Sequence, residues 1–338
     1  MQTLDEISKK IEKAQQILIT THLAPDGDAL GSSLALHLLL QKMGKKSQVV
    51  VPDKVPQFLH FLPNISQILI YDQAEELCQK IAAESDLIFC LDYNTLDRIG
   101  NFGFFLTDKK NKSYVMVDHH LNPKDFGQFY FGDAKRASTC ELLFELLEKI
   151  NLLSFMDVQI ARCLYTGILT DTGCFRFPAT NSATHKIISE LLKFNIQQEE
   201  IYQKIYENNT EEKLRLWGYA TYKKLKIIKK YGVGIIDLNK EELRKFNTQE
   251  GYLEGLANYI LTLKNIKIGI LLSEKEGKIK ISFRSQGSFP VNQLAEHFFS
   301  GGGHHNAAGG IYKDSMENTL NFLTETALPY YADQFEKI

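Results

Sequence analysis

The sequence predicts an α/β protein: a parallel sheet with helices on both faces, joined by a helical linker to a smaller α/β domain with a mixed sheet. Three observations predict it. Apolar runs of strand length alternate with amphipathic helical stretches through the first half, the order that βαβ units produce. A polar Glu/Gln/Lys-rich stretch then interrupts the apolar pattern, and β-type segments resume beyond it. Finally, 338 residues are more than one hydrophobic core ordinarily serves, and 44% hydrophobic residues suffice to fill two.

Taken in order, an amphipathic helix over about 3–15 leads into a strand near 17–21, a helix near 29–43 and a strand near 47–51. A Pro-containing loop follows, then a strand near 67–70, a helix near 73–84 and strands near 87–91 and 114–117. The strands are short apolar runs, whereas the helices show apolar residues at helical spacing. Helical patterns continue at about 139–150, 156–170, 182–194 and 198–207. Residues 1–194 are therefore read as the first domain and 195–222 as the linker. In the second domain, 223–338, β-type segments near 225–237, 267–273 and 279–284 alternate with helices near 240–246, 252–263, 291–298 and 315–332.

Charge and cysteine usage narrow the function classes. A formal net charge of -2 offers no general attraction for long duplex DNA, which needs clustered Lys and Arg. A short anionic ligand held locally fits better. The lysine-rich run 223–230 reads as the solvated side of an edge strand more readily than as an RNA contact. The first residues are amphipathic and no apolar run approaches membrane-spanning length, so a soluble cytoplasmic protein without membrane partners is expected. The five cysteines lie mostly in apolar runs without a Cys-x-x-Cys pair, which predicts reduced, buried thiols.

Four clusters of ligand-type residues follow apolar runs. Asp118-His119-His120 follows Tyr114-Val115-Met116-Val117, and His22-Leu23-Ala24-Pro25-Asp26-Gly27-Asp28 follows Ile17-Leu18-Ile19-Thr20. Asp92 follows Leu87-Ile88-Phe89-Cys90-Leu91, and Asp171 follows Ile168-Leu169-Thr170. In parallel sheets, ligands bind beyond the carboxyl ends of the strands. Carboxylates and imidazoles converging there suit two metal ions. Pro25 and Gly27 turn the chain so that His22, Asp26 and Asp28 aim at one space; the competing reading is that Asp26 and Asp28 only form a turn and helix cap. Asp92 ends a wholly apolar run, where a lone carboxylate needs a cation or hydrogen bonds. Mixed imidazole and carboxylate ligation favours Mn²⁺, with Mg²⁺ or Co²⁺ as substitutes.

The second half carries Gly301-Gly302-Gly303-His304-His305-Asn306-Ala307-Ala308-Gly309-Gly310. Glycines there permit close backbone approach, so amides of Gly302 and Gly303 can face a phosphate, helped by His304 and His305. Arg284, at the end of a predicted strand, suits bidentate phosphate recognition, and Arg136, before a helix, is a second candidate. Tyr93, Phe175, Phe177 and Phe289 are candidates for stacking on a base.

The four ligand clusters in this order, with the glycine-rich segment, resemble the DHH phosphoesterase superfamily and its C-terminal DHH-associated domain over nearly the whole chain. The motif set looks most like the bacterial branch of small oligoribonucleases (nanoRNases) and 3'-phosphoadenosine 5'-phosphate phosphatases. The resemblance implies Asp92 as the bridging ligand, His22 and Asp26 completing one metal, and Asp28, His119 and Asp171 the other. It further implies His120 as the residue that meets a substrate phosphate or assists the leaving group, with Asp118 orienting a histidine.

The expected activity is hydrolysis of very short RNAs, including linear dinucleotides such as pApA, to nucleoside 5'-monophosphates by a water that two metal ions activate. Removal of the 3'-phosphate of 3'-phosphoadenosine 5'-phosphate is a second reaction of the same kind. Alternatives are a cyclic dinucleotide phosphodiesterase, a small-metabolite phosphatase and a noncatalytic nucleotide-binding regulator; all ligand positions are filled, which disfavours the last. Either a monomer or a homodimer is compatible with the sequence. Metals on one domain and the phosphate-binding segment on the other imply a cleft that closes on substrate.

Overall fold

A computed structural model describes residues 2–107, 112–120, 127–249 and 251–335. The chain forms two compact units, Met1–Asn208 and Asn209–Ile338. The polar stretch 195–222 is shared between them: its first helix, Gln198–Tyr206, belongs to the first unit and its second, Glu211–Tyr219, to the other.

The first unit contains α1 (Gln2–Lys13), β1 (Ile17–Thr20), α2 (Gly27–Lys42), β2 (Ser47–Val51), β3 (Leu69–Ile70), α3 (Glu75–Glu84), β4 (Leu87–Leu91), β5 (Ser113–Asp118) and β6 (Phe129–Gly132). These are followed by α4 (Thr139–Lys149), α5 (Val158–Asp171), α6 (Ser182–Leu192) and α7 (Gln198–Tyr206). Its sheet is wholly parallel, in the order β3-β2-β1-β4-β5-β6. Every residue of β1, β4 and β5 is buried, as strands covered on both faces must be. Alternate residues serve two cores. Ile17, Ile19, Phe89, Leu91, Val115 and Val117 pack toward α1, α2, α4 and α5. Leu18, Ile88, Cys90, Tyr114 and Met116 pack toward α3 and a 3-10 stretch, Leu96–Leu106.

The strand order reverses between β1 and β4, so the loops leaving their carboxyl ends part and open a crevice. Register then sets the heights of the site residues. Thr20 pairs with Cys90, which puts His22 level with Asp92, and Leu91 pairs with Val117, which sets Asp92 beside Asp118.

The second unit contains α8 (Glu211–Tyr219), β7 (Lys226–Ile228), β8 (Val233–Leu238), α9 (Lys240–Lys245), α10 (Leu256–Ile260), β9 (Ile268–Lys275) and β10 (Lys278–Ser285). It ends with α11 (Val291–Phe298), β11 (Gly302–His304), β12 (Ala307–Tyr312), α12 (Met316–Phe322) and α13 (Leu328–Phe335). The sheet order is β11-β12-β10-β9-β8-β7; β8 and β9 are parallel and the other neighbours antiparallel, which gives the mixed sheet expected.

Several elements differ from the sequence expectation. The β-type segment at 225–237 is two strands, separated by a 3-10 turn, Lys229–Tyr231, and a left-handed Gly232. The glycine-rich segment, given no strand in the sequence reading, forms the hairpin β11–β12, with Gly302 opposite Gly309 and Gly303 opposite Ala308. A Cβ at Gly301 would lie 2.0 Å from the Gly309 carbonyl oxygen and one at Gly310 2.7 Å from the Phe299 Cβ, so backbone packing by itself requires glycine there. Lys224 meets Asp237 and Glu242, and Lys226 meets Asp237, so carboxylates of their own unit already engage these lysines. The five cysteines are free, four of them buried and Cys174 exposed. Among the described residues, no helix is long and apolar enough to cross a membrane.

Candidate metal centre

Side chains from five elements of the first unit converge on the crevice. His22 and Asp26 leave β1, Asp92 leaves β4, His119 and His120 leave β5, and Asp28 and Asp171 stand at the facing ends of α2 and α5. Ligand atoms of His22, Asp26 and Asp92 lie within 4.8 Å of one another, and so do those of Asp28, His119 and Asp171. Asp92 faces both sets. Its Oδ2 is 3.3 Å from His22 Nε2, and its Oδ1 is 3.5 Å from His119 Nε2. Asp171 Oδ2 and Asp28 Oδ2 lie 3.3 and 4.0 Å from that same His119 nitrogen.

The donor chemistry fits divalent ions. His22 Nδ1 is 2.8 Å from the Leu23 carbonyl and His119 Nδ1 is 3.2 Å from the Arg136 carbonyl. A carbonyl accepts only, so each Nδ1 carries a proton and each Nε2 is the nitrogen that offers a lone pair to the cluster once the ring is neutral. His120 also lies close, its Nδ1 3.7 Å from Asp92 Oδ1, but that nitrogen donates to Asp118 Oδ1 at 2.7 Å and is not available to an ion. Asp118 Oδ2 accepts the His120 amide as well, so the ring orientation is set by its neighbour two residues back.

The turn-and-cap reading of the first motif holds and is compatible with the ligand reading. Asp26 Oδ1 caps α2 by accepting from the amides of Asp28 and Ala29. Asp28 is buried and accepts from the Thr139 amide at 2.5 Å and the Cys140 amide at 2.9 Å, so the electropositive start of α4 holds a candidate ligand carboxylate. Ser138, which caps α4 by accepting from the Glu141 amide, is followed three residues later by that Glu; Ser-x-x-Glu is the helix-start signature by which this support was readable. Arg136 gives the site its carbonyl; its guanidinium lies 2.7 Å from Glu145 Oε1.

Asp92 has φ 64, a left-handed conformation that Asp tolerates better than most residues. This bend turns its carboxylate back over the sheet edge. Burial alone would lower the His22 pKa, but Asp92 outweighs it and raises it to about 9. Burial and the nearby Asp92 push Asp28 up to about 7, and Asp171 is raised by burial and by Asp28 and Asp92. Asp92 is itself buried, yet His22, His119 and His120 hold it below the ordinary carboxylate range. The crevice thus gathers more carboxylate than its histidines offset.

Close packing of α2 on α5 brings Asp28 to Asp171. A Cβ on Gly27 would lie 2.3 Å from Thr170 Oγ1, one on Gly31 2.5 Å from the Cys163 carbonyl, and one on Gly167 2.2 Å from Cys140 Sγ and 2.9 Å from Asp28 Oδ1. Gly167→Ala is therefore expected to cost about 1–3 kcal/mol of stability by overpacking. It should also displace Asp28 and weaken divalent-ion binding about 10–100-fold. Thermal melts with and without Mn²⁺ read both; an undiminished Mn²⁺-induced shift would refute the expectation.

The second unit brings other expected residues together. Arg284 pairs with Ala307 on β12, beside the His305–Asn306 turn, and its Nη1 donates to the Phe283 carbonyl at 2.8 Å. Asn306 Nδ2 donates to Ser285 Oγ and the Gly287 carbonyl, tying that turn to β10. The His304 side chain lies outside the described residues. Of the stacking candidates, Tyr93 is fully buried, Phe175 is partly buried against Tyr165 and His185, and Phe289 packs on the second core. Phe177 is 40% exposed, with Arg176 5.3 Å above its ring.

Residues 16–168 match the DHH family N-terminal domain, and 230–329 match the DHHA1 domain. A bifunctional oligoribonuclease and PAP phosphatase NrnA of Thermus thermophilus is 27% identical over 93% of this chain and 88% of its own length. The protein of that name in Bacillus subtilis is 25% identical over 90% and 91%. The crystal structure of an exopolyphosphatase-related protein from Bacteroides fragilis superposes with a TM-score of 0.96 at 39% identity, covering 99% of this chain and 98% of that one. These matches span both units, and the chain belongs to the DHH family: it is a DHH phosphoesterase with a DHHA1 domain, a hydrolase acting on phosphoester bonds.

Proposed function

We propose that this hydrolase cleaves very short RNAs, including linear dinucleotides such as pApA, to nucleoside 5'-monophosphates, and removes the 3'-phosphate of 3'-phosphoadenosine 5'-phosphate. The observation that carries the reading is the two ligand sets that Asp92 faces with its two oxygens, in a chain that matches relatives named for these two activities across about nine-tenths of its length. His22, Asp26 and Asp92 would hold one ion, and Asp28, Asp92, His119 and Asp171 the other. Mixed nitrogen and oxygen ligation favours Mn²⁺ over Mg²⁺. What such ions supply is neutralisation of the phosphoryl oxygens and acidification of water.

The chain's own groups do the rest. Asp118 fixes the Nδ1 proton of His120, so a proton delivered to the leaving oxygen comes from Nε2. Arg284, beside the hairpin turn, suits the terminal phosphate as a bidentate donor, with outward amides of the edge strand β11 as further donors. Phe177 is the platform for a base. Phe177→Ala should remove about 1–3 kcal/mol of stacking, raising KM for a dinucleotide about 10–100-fold with little change in kcat. A KM for pApA equal to that of the unsubstituted protein would exclude this role.

The test is product analysis with Mn²⁺ and an equimolar mixture of pApA, 3'-phosphoadenosine 5'-phosphate, cyclic di-AMP and pyrophosphate. Loss of pApA first, with AMP as product, supports the reading. Loss of cyclic di-AMP alone overturns it while leaving the phosphoesterase intact, and loss of pyrophosphate alone leaves only a phosphoanhydride hydrolase.

A further inference from the structure

Thr139 opens α4, is fully buried, and touches two of the ligand carboxylates at once. Its amide donates to Asp28 Oδ2 at 2.5 Å and its hydroxyl to Asp92 Oδ1 at 2.9 Å. The direction of that hydroxyl follows from its place in the helix. Threonines inside a helix return their hydroxyl to the carbonyl one turn back, as Thr166 does to Arg162, Thr170 to Thr166 and Thr172 to Ile168. At the first position of a helix there is no preceding turn, so the Thr139 hydroxyl reaches across the sheet edge instead.

We propose that Thr139 is a positioning residue that makes the two halves of the centre unequal, by pinning the rotation of the Asp92 carboxylate and occupying a lone pair of one of its oxygens. Oδ2, on the His22 side, keeps its full donor strength. Oδ1, on the His119 side, shares its density with the hydroxyl and is the weaker ligand. The pin is rigid for two reasons: a β-branched side chain is stiff at χ1, and the helix start is locked by the Ser138 cap and by Asp28. The ion held by His22, Asp26 and Asp92 is thus the tightly bound one, and the ion held by Asp28, His119 and Asp171 the exchangeable one. This inference rests on the two-ion reading of the crevice.

The test is Mn²⁺ titration of the full chain, followed by electron paramagnetic resonance of free Mn²⁺, for the unsubstituted protein, T139V and T139S. Thr139→Val keeps the shape and removes the donor; Thr139→Ser keeps the donor. The unsubstituted protein should take up two ions with distinct affinities. T139V should shift the affinity of one class about 10–100-fold and leave the other within a few-fold, and T139S should restore the original pattern. If T139V does not fold, Thr139→Ala replaces it with the same expectation. Two unchanged classes in T139V, equal weakening of both, or failure of T139S to restore them each overturns the inference. Fewer than two ions in the unsubstituted protein would instead overturn the two-ion reading, and the inference with it.

Discussion

Asp92→Asn is expected to lower kcat at least about a thousandfold, which corresponds to a loss of roughly 4 kcal/mol of transition-state stabilisation. The carboxylate faces His22 with one oxygen and His119 with the other, so neutralising it weakens both ligand sets together. Asparagine keeps the volume and tolerates the left-handed backbone at φ 64. Asp92→Ala should match it in activity and cost the fold a further ~1–2 kcal/mol, because alanine at this φ carries a Cβ penalty without the local hydrogen bonding of Asp or Asn. Steady-state rates on pApA, with denaturant melts of both variants, separate the two effects. A D92N enzyme within tenfold of the unsubstituted rate would remove Asp92 from the centre.

Affinity for Mn²⁺ is expected to fall at least about 10⁴-fold between pH 9 and pH 6, His22 and Asp28 alone accounting for that much and the raised Asp171 adding to it. An ion needs His22 without its second proton and Asp28 ionised, whereas in the metal-free protein their pKa values stand at about 9 and about 7. One proton is displaced per ion pair bound between pH 9 and 7, roughly tenfold per pH unit; below pH 7 a second proton follows, roughly a hundredfold per unit. The stability of the metal-free protein has the corresponding sign. The raised His22 pKa stabilises the fold below its unfolded value near 6.5, and this contribution fades as pH rises through 9. The raised Asp28 pKa likewise makes the fold lose stability as pH climbs from about 3.8 through 7. Both trends act against the metal-free state in alkali, so the rise in Tm on adding Mn²⁺ should widen from pH 6 to pH 9. A Tm increment constant over that range would contradict the protonation states described.

The residues that the sequence marks out for the centre meet in the crevice because the signal there was a contrast. Ile17–Thr20, Leu87–Leu91 and Ser113–Asp118 are buried on both faces, so an acidic or imidazole group at their carboxyl ends stands out against an apolar run. The strands that escaped notice lack that contrast. Phe129–Gly132 is four residues long at a sheet edge, and Gly302–His304 with Ala307–Tyr312 is largely glycine and alanine, whose identity comes from backbone contact more than side-chain alternation. Support for Asp28 was legible only in part: Ser138-x-x-Glu141 marks a helix start, but that the amides of Thr139 and Cys140 meet Asp28 is a long-range contact with no letter of its own. Gly27, Gly31 and Gly167 are legible as glycines, but only the helix crossing reveals what their missing Cβ atoms leave room for.

The two carbonyls that hold His22 and His119 belong to Leu23 and Arg136, and they would be present whatever side chains stood at those positions. The tautomer of each imidazole is therefore set by the path of the chain and is insulated from substitution at the residues that supply it. A substitution at position 23 or 136 changes a side chain and leaves in place the carbonyl that fixes which nitrogen faces the crevice. Mutational drift can rewrite the neighbourhood of this centre while its imidazoles stay tuned.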